Sequence, residues 1–247
     1  MTENSRPLVL VTGVGRPAAI GTGIVRRLAA DGWDVAFADL EPEPGFAEAL
    51  AEEAGASGAR VAGFVADLST EEGPQELVRR VRAELGPIRA LVGSHAYSVD
   101  SGLLDTSVAA FDRHFAVNTR GSWLLIRAFA EQFVDAPGSG RIVALTSDHT
   151  AHNLPYGASK GALDRIVIAA AVELAHLGIT ANLINPGPID TGWMTPDLAE
   201  TLAAETALGR LGRPQDTADL VAFLLSPSGG WLNGQLLHSN GGFHLPV

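Results

Sequence analysis

Cysteine is absent from the 247 residues, which excludes a disulfide framework, a thiolate metal site and a cysteine nucleophile. Basic residues are scarce: 17 Lys and Arg stand against 28 Asp and Glu, for a formal net charge of −11. So acidic a chain is unsuited to gripping nucleic acid or an anionic membrane surface, though a local basic pocket stays compatible with it. No stretch of 18 apolar residues occurs, so no membrane span is expected. The N-terminal MTENSRPLVLVTG has neither the basic segment nor the long apolar run of a signal peptide, and a soluble, cytoplasmic protein is expected. What the chain does have is 46% hydrophobic residues, enough for the core of one large α/β domain.

Short apolar, β-branched runs alternate with amphipathic stretches from end to end. Strands are expected at 7–12, 33–39, 60–67, 89–94, 141–147, 179–185 and 234–239, with helices near 20–31, 45–54, 71–85, 106–134, 157–177 and 215–225. Near-continuous apolar strands in this alternation predict a single Rossmann-like, doubly wound α/β domain over 1–247: a seven-stranded parallel sheet with helices on both faces. Residues 186–213 interrupt the pattern with turn residues and short helical pieces, where a substrate loop is expected at about 188–210.

In such a sheet ligands bind beyond the carboxyl ends of the strands. The first strand delivers Thr12 and Gly13, then VGRPAAIGTG with Gly21 opening a helix. Glycine there permits close backbone approach to a pyrophosphate, and a helix N-terminus stabilises its charge. An ordinary βα turn would look similar. The second strand ends in Asp39, 18 residues after Gly21, near the spacing of a carboxylate that binds an adenosine ribose. The others end in Asp67-Leu68, Ser94-His95, Thr146-Ser147 and Asn185-Pro186-Gly187. Tyr156 stands four residues before Lys160 at the start of a long apolar run, which puts a phenol and an ammonium on one helix face.

These segments, in this order, resemble the short-chain dehydrogenase/reductase family, of the 3-oxoacyl-carrier-protein reductase type. The motifs are the Gly-rich turn, FAVNTRG (115–121), Ser147, YGASK (156–160), NPGPIDTG (185–192) and SNGGF (239–243), and the likeness spans nearly the whole chain. It implies an NAD(P)-dependent oxidoreductase interconverting a ketone and a secondary alcohol. Tyr156 would be the general acid/base and Ser147 would hold the carbonyl oxygen. Lys160 would bind the nicotinamide ribose and lower the phenol's pKa, and Asn118 would help hold a relay water. An Asn118 that merely bends a helix is the plainer reading. The dinucleotide site implied comprises Gly13, Arg16, Ile20, Gly21, Asp39, Leu40, Asp67, Leu68, Ser94, Tyr156, Lys160, Pro186, Ile189 and Thr191.

The chain also departs from that family. Five residues, VGRPA, separate Gly13 from AIG, so the turn is longer by two and Ala19 replaces a glycine, a length similar to that of enoyl reductases. The family's NNAG after the fourth strand is GSHA (93–96), which introduces His95. Only eight residues lie between Ser147 and Tyr156, fewer than the family carries, so the pocket is expected to be open on that side with His149 and His152 at its rim. No third ligand accompanies these histidines, so no metal is expected. Arg16 could hold a 2′-phosphate, but Asp39 would repel one and Leu40 is not basic, so NAD is expected, with NADP admitted. Wide apolar surfaces at 121–134 and 166–172 predict a homo-oligomer, dimer or tetramer. Two other readings stand beside the ketone/alcohol enzyme: a catalytically silent dinucleotide-binding protein, and an enoyl or acyl-carrier-linked reductase.

Overall fold

Strands that are apolar at nearly every position need cover on both faces. The computed structural model, which describes residues 6–134, 138–192 and 194–243, meets that need. Among the described residues seven strands form one parallel sheet: β1 (Leu8–Thr12), β2 (Asp34–Asp39), β3 (Val61–Val65), β4 (Ile88–Gly93), β5 (Gly140–Leu145), β6 (Ile179–Asn185) and β7 (Leu236–His238). The spatial order is β3-β2-β1-β4-β5-β6-β7. It reverses between β1 and β4, so right-handed crossovers lay their helices on opposite faces.

The helices are α1 (Ile20–Ala30), α2 (Phe46–Gly55), α3 (Gly73–Leu85), α4 (Val108–His114), α5 (Ser122–Gln132), α6 (Leu154–Glu173), α7 (Pro196–Glu205) and α8 (Pro214–Leu225). Alternation along β1 sorts them into two layers. Leu8 and Leu10 face a core built with Leu77, Val81, Leu125, Phe129, Leu163 and Val167 of α3, α5 and α6. Val9 and Val11 face the other, with Ile24, Leu28, Leu50, Val221 and Leu225 of α1, α2 and α8. On α6 the buried residues Pro155, Ser159, Lys160, Leu163, Val167, Ala170 and Ala171 recur mostly every three or four positions, so the YGASK motif rides on the stripe that docks the helix.

All seven expected strands form. The single helix expected over 106–134 does not: α4 passes into a π-helical turn, Phe115–Gly121, before α5 begins. A π-turn admits one extra residue per turn and leaves the apolar pattern almost unchanged, which is why the sequence reads as continuous. Gly121 lets this turn pass Leu68, whose carbonyl oxygen would lie 2.2 Å from any Cβ there. Residues 186–213 leave the sheet as expected. They carry α7, none of whose residues is buried, and close at their base through the Ile189–Gly212 bridge. Trp193 of the expected substrate loop, and the ends 1–5 and 244–247 of the expected domain, lie outside the described residues. Among the described residues no helix is long and apolar enough to cross a membrane.

Candidate active site

Because all strands run one way, the turns that follow them share one edge of the sheet. At the first turn Gly13 adopts φ 76°, and a Cβ there would lie 2.6 Å from the His95 backbone nitrogen. A Cβ on Gly15 would strike the Asp39 carboxylate at 2.7 Å, and one on Gly21 the Gly13 carbonyl at 2.6 Å. Ala19 caps α1 without a side-chain bond, so the opening amides of that helix face the turn unclaimed by any capping side chain. A side-chain-free cradle at a helix N-terminus fits a pyrophosphate. Thr22 Oγ1 fastens it by donating to the Arg16 carbonyl at 2.7 Å, while the Arg16 side chain is exposed.

The remaining expected dinucleotide residues line up along the same edge. Asp39 turns toward Gly15 and accepts the Glu41 amide at 3.2 Å, beside the exposed Leu40. Asp67 accepts from the Ser69 hydroxyl at 2.6 Å and amide at 2.8 Å, and these bonds hold its carboxyl below the usual range. Leu68 puts its side chain in the core, so its backbone alone is offered to a ligand. The Ser94 backbone abuts Gly13. From the far side of the sheet come buried Pro186, Ile189 and Thr191, and a Cβ added at Gly192 would lie 3.7 Å from the Ala18 Cβ of the first turn.

Beside this cradle stand the four expected catalytic residues. Ser147 follows β5, and Tyr156 and Lys160 occupy the first turns of α6. The Ser147 hydroxyl lies beside the Tyr156 phenol and pulls its pKa down. Lys160 Nζ lies 5.7 Å from the centre of the Tyr156 ring and donates to the Leu145 carbonyl at 2.8 Å. Asn118 is buried in the π-turn with its amide committed: Oδ1 accepts from Tyr97 N at 2.7 Å, and Nδ2 donates to Tyr97 O and Ser159 Oγ, both at 2.9 Å. Ser159 Oγ donates in turn to the Tyr156 carbonyl at 2.7 Å. The Asn118 side chain therefore braces the turn after β4 against α6.

The expected lowering of the phenol's pKa joins Lys160 to the positive charge of an oxidised nicotinamide; the chain's own groups leave the phenol high. Burial dominates and pushes Tyr156 up to about 12, opposed by the Ser147 hydroxyl. Burial also draws Lys160 down to about 8, against a smaller upward pull from Asp164. Desolvation penalises both charged forms, and at this separation it outweighs their mutual attraction.

His149 and His152 lie exposed on the short loop before α6, as expected. The His149 ring stands 6.4 Å from that of Tyr156, and His152 takes a left-handed φ of 64° where the loop turns back. Among the described residues no cluster of His, Asp and Glu could hold a metal. Three contributors escaped the sequence reading. Ser159 couples Asn118 to α6. Thr146 Oγ1 donates to Asp164, one turn beyond Lys160, at 2.5 Å. Buried Asn153 staples the loop to Ser98 at 2.9 Å and Asp100 at 2.6 Å. Short polar residues beside known motifs were the available signal, but their partners are 18 to 55 positions away.

Comparison with known proteins agrees with this geometry. A family model described as enoyl-(acyl carrier protein) reductase matches residues 13–244. The chain is 34% identical to the oxidoreductase YjdA of Bacillus subtilis (strain 168), over 98% of this chain and 99% of that one. It is 32% identical to a (3R)-3-hydroxyacyl-CoA dehydrogenase of Mus musculus, over 96% of each. A blue fluorescent protein from a metagenomic library, solved in complex with NADPH, superposes with a TM-score of 0.89 at 33% identity, covering 97% of this chain and 98% of that. The chain belongs to the short-chain dehydrogenase/reductase family. It is an NAD(P)-dependent oxidoreductase of the kind that acts on CH–OH donors.

Proposed function

We propose that this chain interconverts a ketone and a secondary alcohol, with Tyr156 as general acid/base. One observation carries the reading: a phenol beside the Ser147 hydroxyl, with a buried ammonium 5.7 Å from its ring, next to a side-chain-free cradle. Ser147 donates to the substrate oxygen and fixes it against the phenol. Tyr156 gives its proton to that oxygen in reduction and takes the hydroxyl proton in oxidation. The nicotinamide, when bound, supplies or accepts the hydride and, oxidised, adds positive charge. Gly13, Gly21 and the α1 amides would hold the pyrophosphate, and Lys160 the nicotinamide ribose. A phenol held at about 12 keeps its proton at neutral pH, which suits the donor role of the reductive direction.

NAD(H) is the preferred cofactor in this reading, because the Asp39 carboxylate stands against the first turn where a 2′-phosphate would meet it. The chain also assembles as a dimer or tetramer. Trp123 is 46% exposed in a groove of about 940 Å3 with Phe115 and Ile166, while Trp231 and Val172 protrude elsewhere at 98% and 76%.

The acyl-carrier-linked alternative draws on the long glycine turn and on the description of the matching family model. The close Tyr156–Lys160 spacing favours carbonyl chemistry instead. Following absorbance of reduced nicotinamide over simple ketones, 3-oxoacyl thioesters and enoyl thioesters separates the readings. Turnover of carbonyl substrates alone is expected. Turnover confined to enoyl thioesters would overturn the assignment, and dinucleotide binding without any turnover would identify a silent binding protein.

A further inference from the structure

The segment after β4 is where the chain departs from its family, and its geometry shows what the departure does. Gly93 ends β4 in register with Thr12 of β1 on one side and Ala144 of β5 on the other. With no side chain at 93, the space is filled from two residues on. The His95 ring folds back until its Cε1 lies 3.9 Å from where a Gly93 Cβ would stand. His95 Nδ1 is 2.7 Å from Thr12 Oγ1, and Nε2 is 3.1 Å from Ser122 Oγ. Ser122 donates to the main-chain carbonyl of Asn118 at 2.8 Å. That direction assigns the tautomer: the single Ser122 proton goes to Asn118, so His95 Nε2 carries hydrogen and Nδ1 accepts from Thr12. Burial and the Lys160 charge hold the imidazole neutral, its pKa pushed down to about 3 against a smaller upward pull from the Val117 main chain of the π-turn, so the pattern persists across working pH.

We infer that His95 is a positioning residue: through Ser122 it holds the π-turn that carries Asn118, and through Thr12 it anchors that turn to the strand feeding the dinucleotide cradle. A π-turn is rare and interrupts the i→i+4 register of the α-helices on either side, so it needs an external tie to keep its own. Losing the tie lets residues 117–121 relax and loosens the Asn118 brace on Tyr97 and Ser159. The inference rests on the Asn118 brace described above and on the role proposed for Tyr156.

The test uses Ser122→Ala, His95→Ala, the double variant His95→Ala/Ser122→Ala, and Gly93→Asn/His95→Ala, which refills the space from position 93. Amides 117–121 in both single variants should exchange hydrogen about tenfold faster than in the wild type, in the cofactor-free protein. On the best ketone, kcat should fall about tenfold while affinity for reduced dinucleotide, read by its fluorescence, stays within about threefold. The double His95/Ser122 variant should be no worse than either single one, because both break one chain of bonds. Gly93→Asn/His95→Ala should recover most of the exchange protection and rate. If His95→Ala fails to fold, Ser122→Ala and the refilled variant carry the test. Wild-type exchange at 117–121 in Ser122→Ala, additive losses, or no recovery on refilling would each overturn the inference. Tyr156→Phe is measured alongside. If it is inactive while Ser122→Ala is normal, the positioning role fails alone; if it is active, the proposed mechanism fails too.

Discussion

Tyr156 and Lys160 form a pair in which burial, not mutual attraction, sets both pKa values. Lys160 is the only lysine in the chain, so a sample carbon-labelled at lysine Cε has one such resonance and its titration reads this group directly. A midpoint near 8 is expected, and one near the ordinary 10.5 would contradict the burial argument. The sign for stability follows. Below about 8 the folded chain keeps an ammonium in a poorly solvated site, a cost present in full there, which disappears as pH rises from about 8 toward 10.5. Lys160→Met should therefore stabilise the fold at neutral pH by on the order of 1–3 kcal/mol while weakening cofactor binding and turnover. Thermal melts at rising pH should show that gain shrinking; a variant destabilised at neutral pH would reverse the reading. Asp39→Ala should shift kcat/KM toward NADP(H) by removing the carboxylate that opposes a 2′-phosphate. A wild type already preferring NADP(H) would move the determinant to Arg16.

Among the elements, the sheet was the most legible part of the sequence. Strands β1 and β2 announce themselves through the apolar runs LVLV and VAFA because both faces are buried, and their polar C-terminal residues Thr12 and Asp39 mark the ligand edge. The break at 115–121 was not legible, since a π-turn is a backbone hydrogen-bond register and leaves almost no trace in side-chain periodicity. The His95 network was half legible: the departure from NNAG stood out, but its partners Thr12 and Ser122 lie 83 and 27 positions away. The short loop 148–155 belongs to this scale as well. Asn153 staples it to 98–100, and the exposed His149 ring stands 6.4 Å from that of Tyr156, where the sequence leads one to expect an open wall. An open wall predicts that kcat/KM falls little as ketones grow bulkier, and that His149→Ala changes small and bulky substrates alike by less than about threefold. A steep fall with bulk would show that the missing residues did not widen the site.

At the scale of the whole molecule, a parallel sheet with one order reversal gathers residues from positions 13 to 192 onto a single edge, and the proposed oligomer would form through other surfaces. Trp123→Glu replaces the exposed indole in the groove between α4, α5 and α6 with a charge, and should lower the sedimenting mass at micromolar concentration. A wild type that sediments as a monomer would remove this role for the groove. The central claim is that the gathered edge performs proton-coupled hydride transfer and does more than bind a dinucleotide. Tyr156→Phe tests it most directly, because it deletes one oxygen and leaves the buried ring in place. Turnover of the best ketone or alcohol, followed by reduced-nicotinamide absorbance, should fall by at least about a hundredfold, with dinucleotide affinity held within about threefold. A phenylalanine variant that turns over at a near-normal kcat would contradict it.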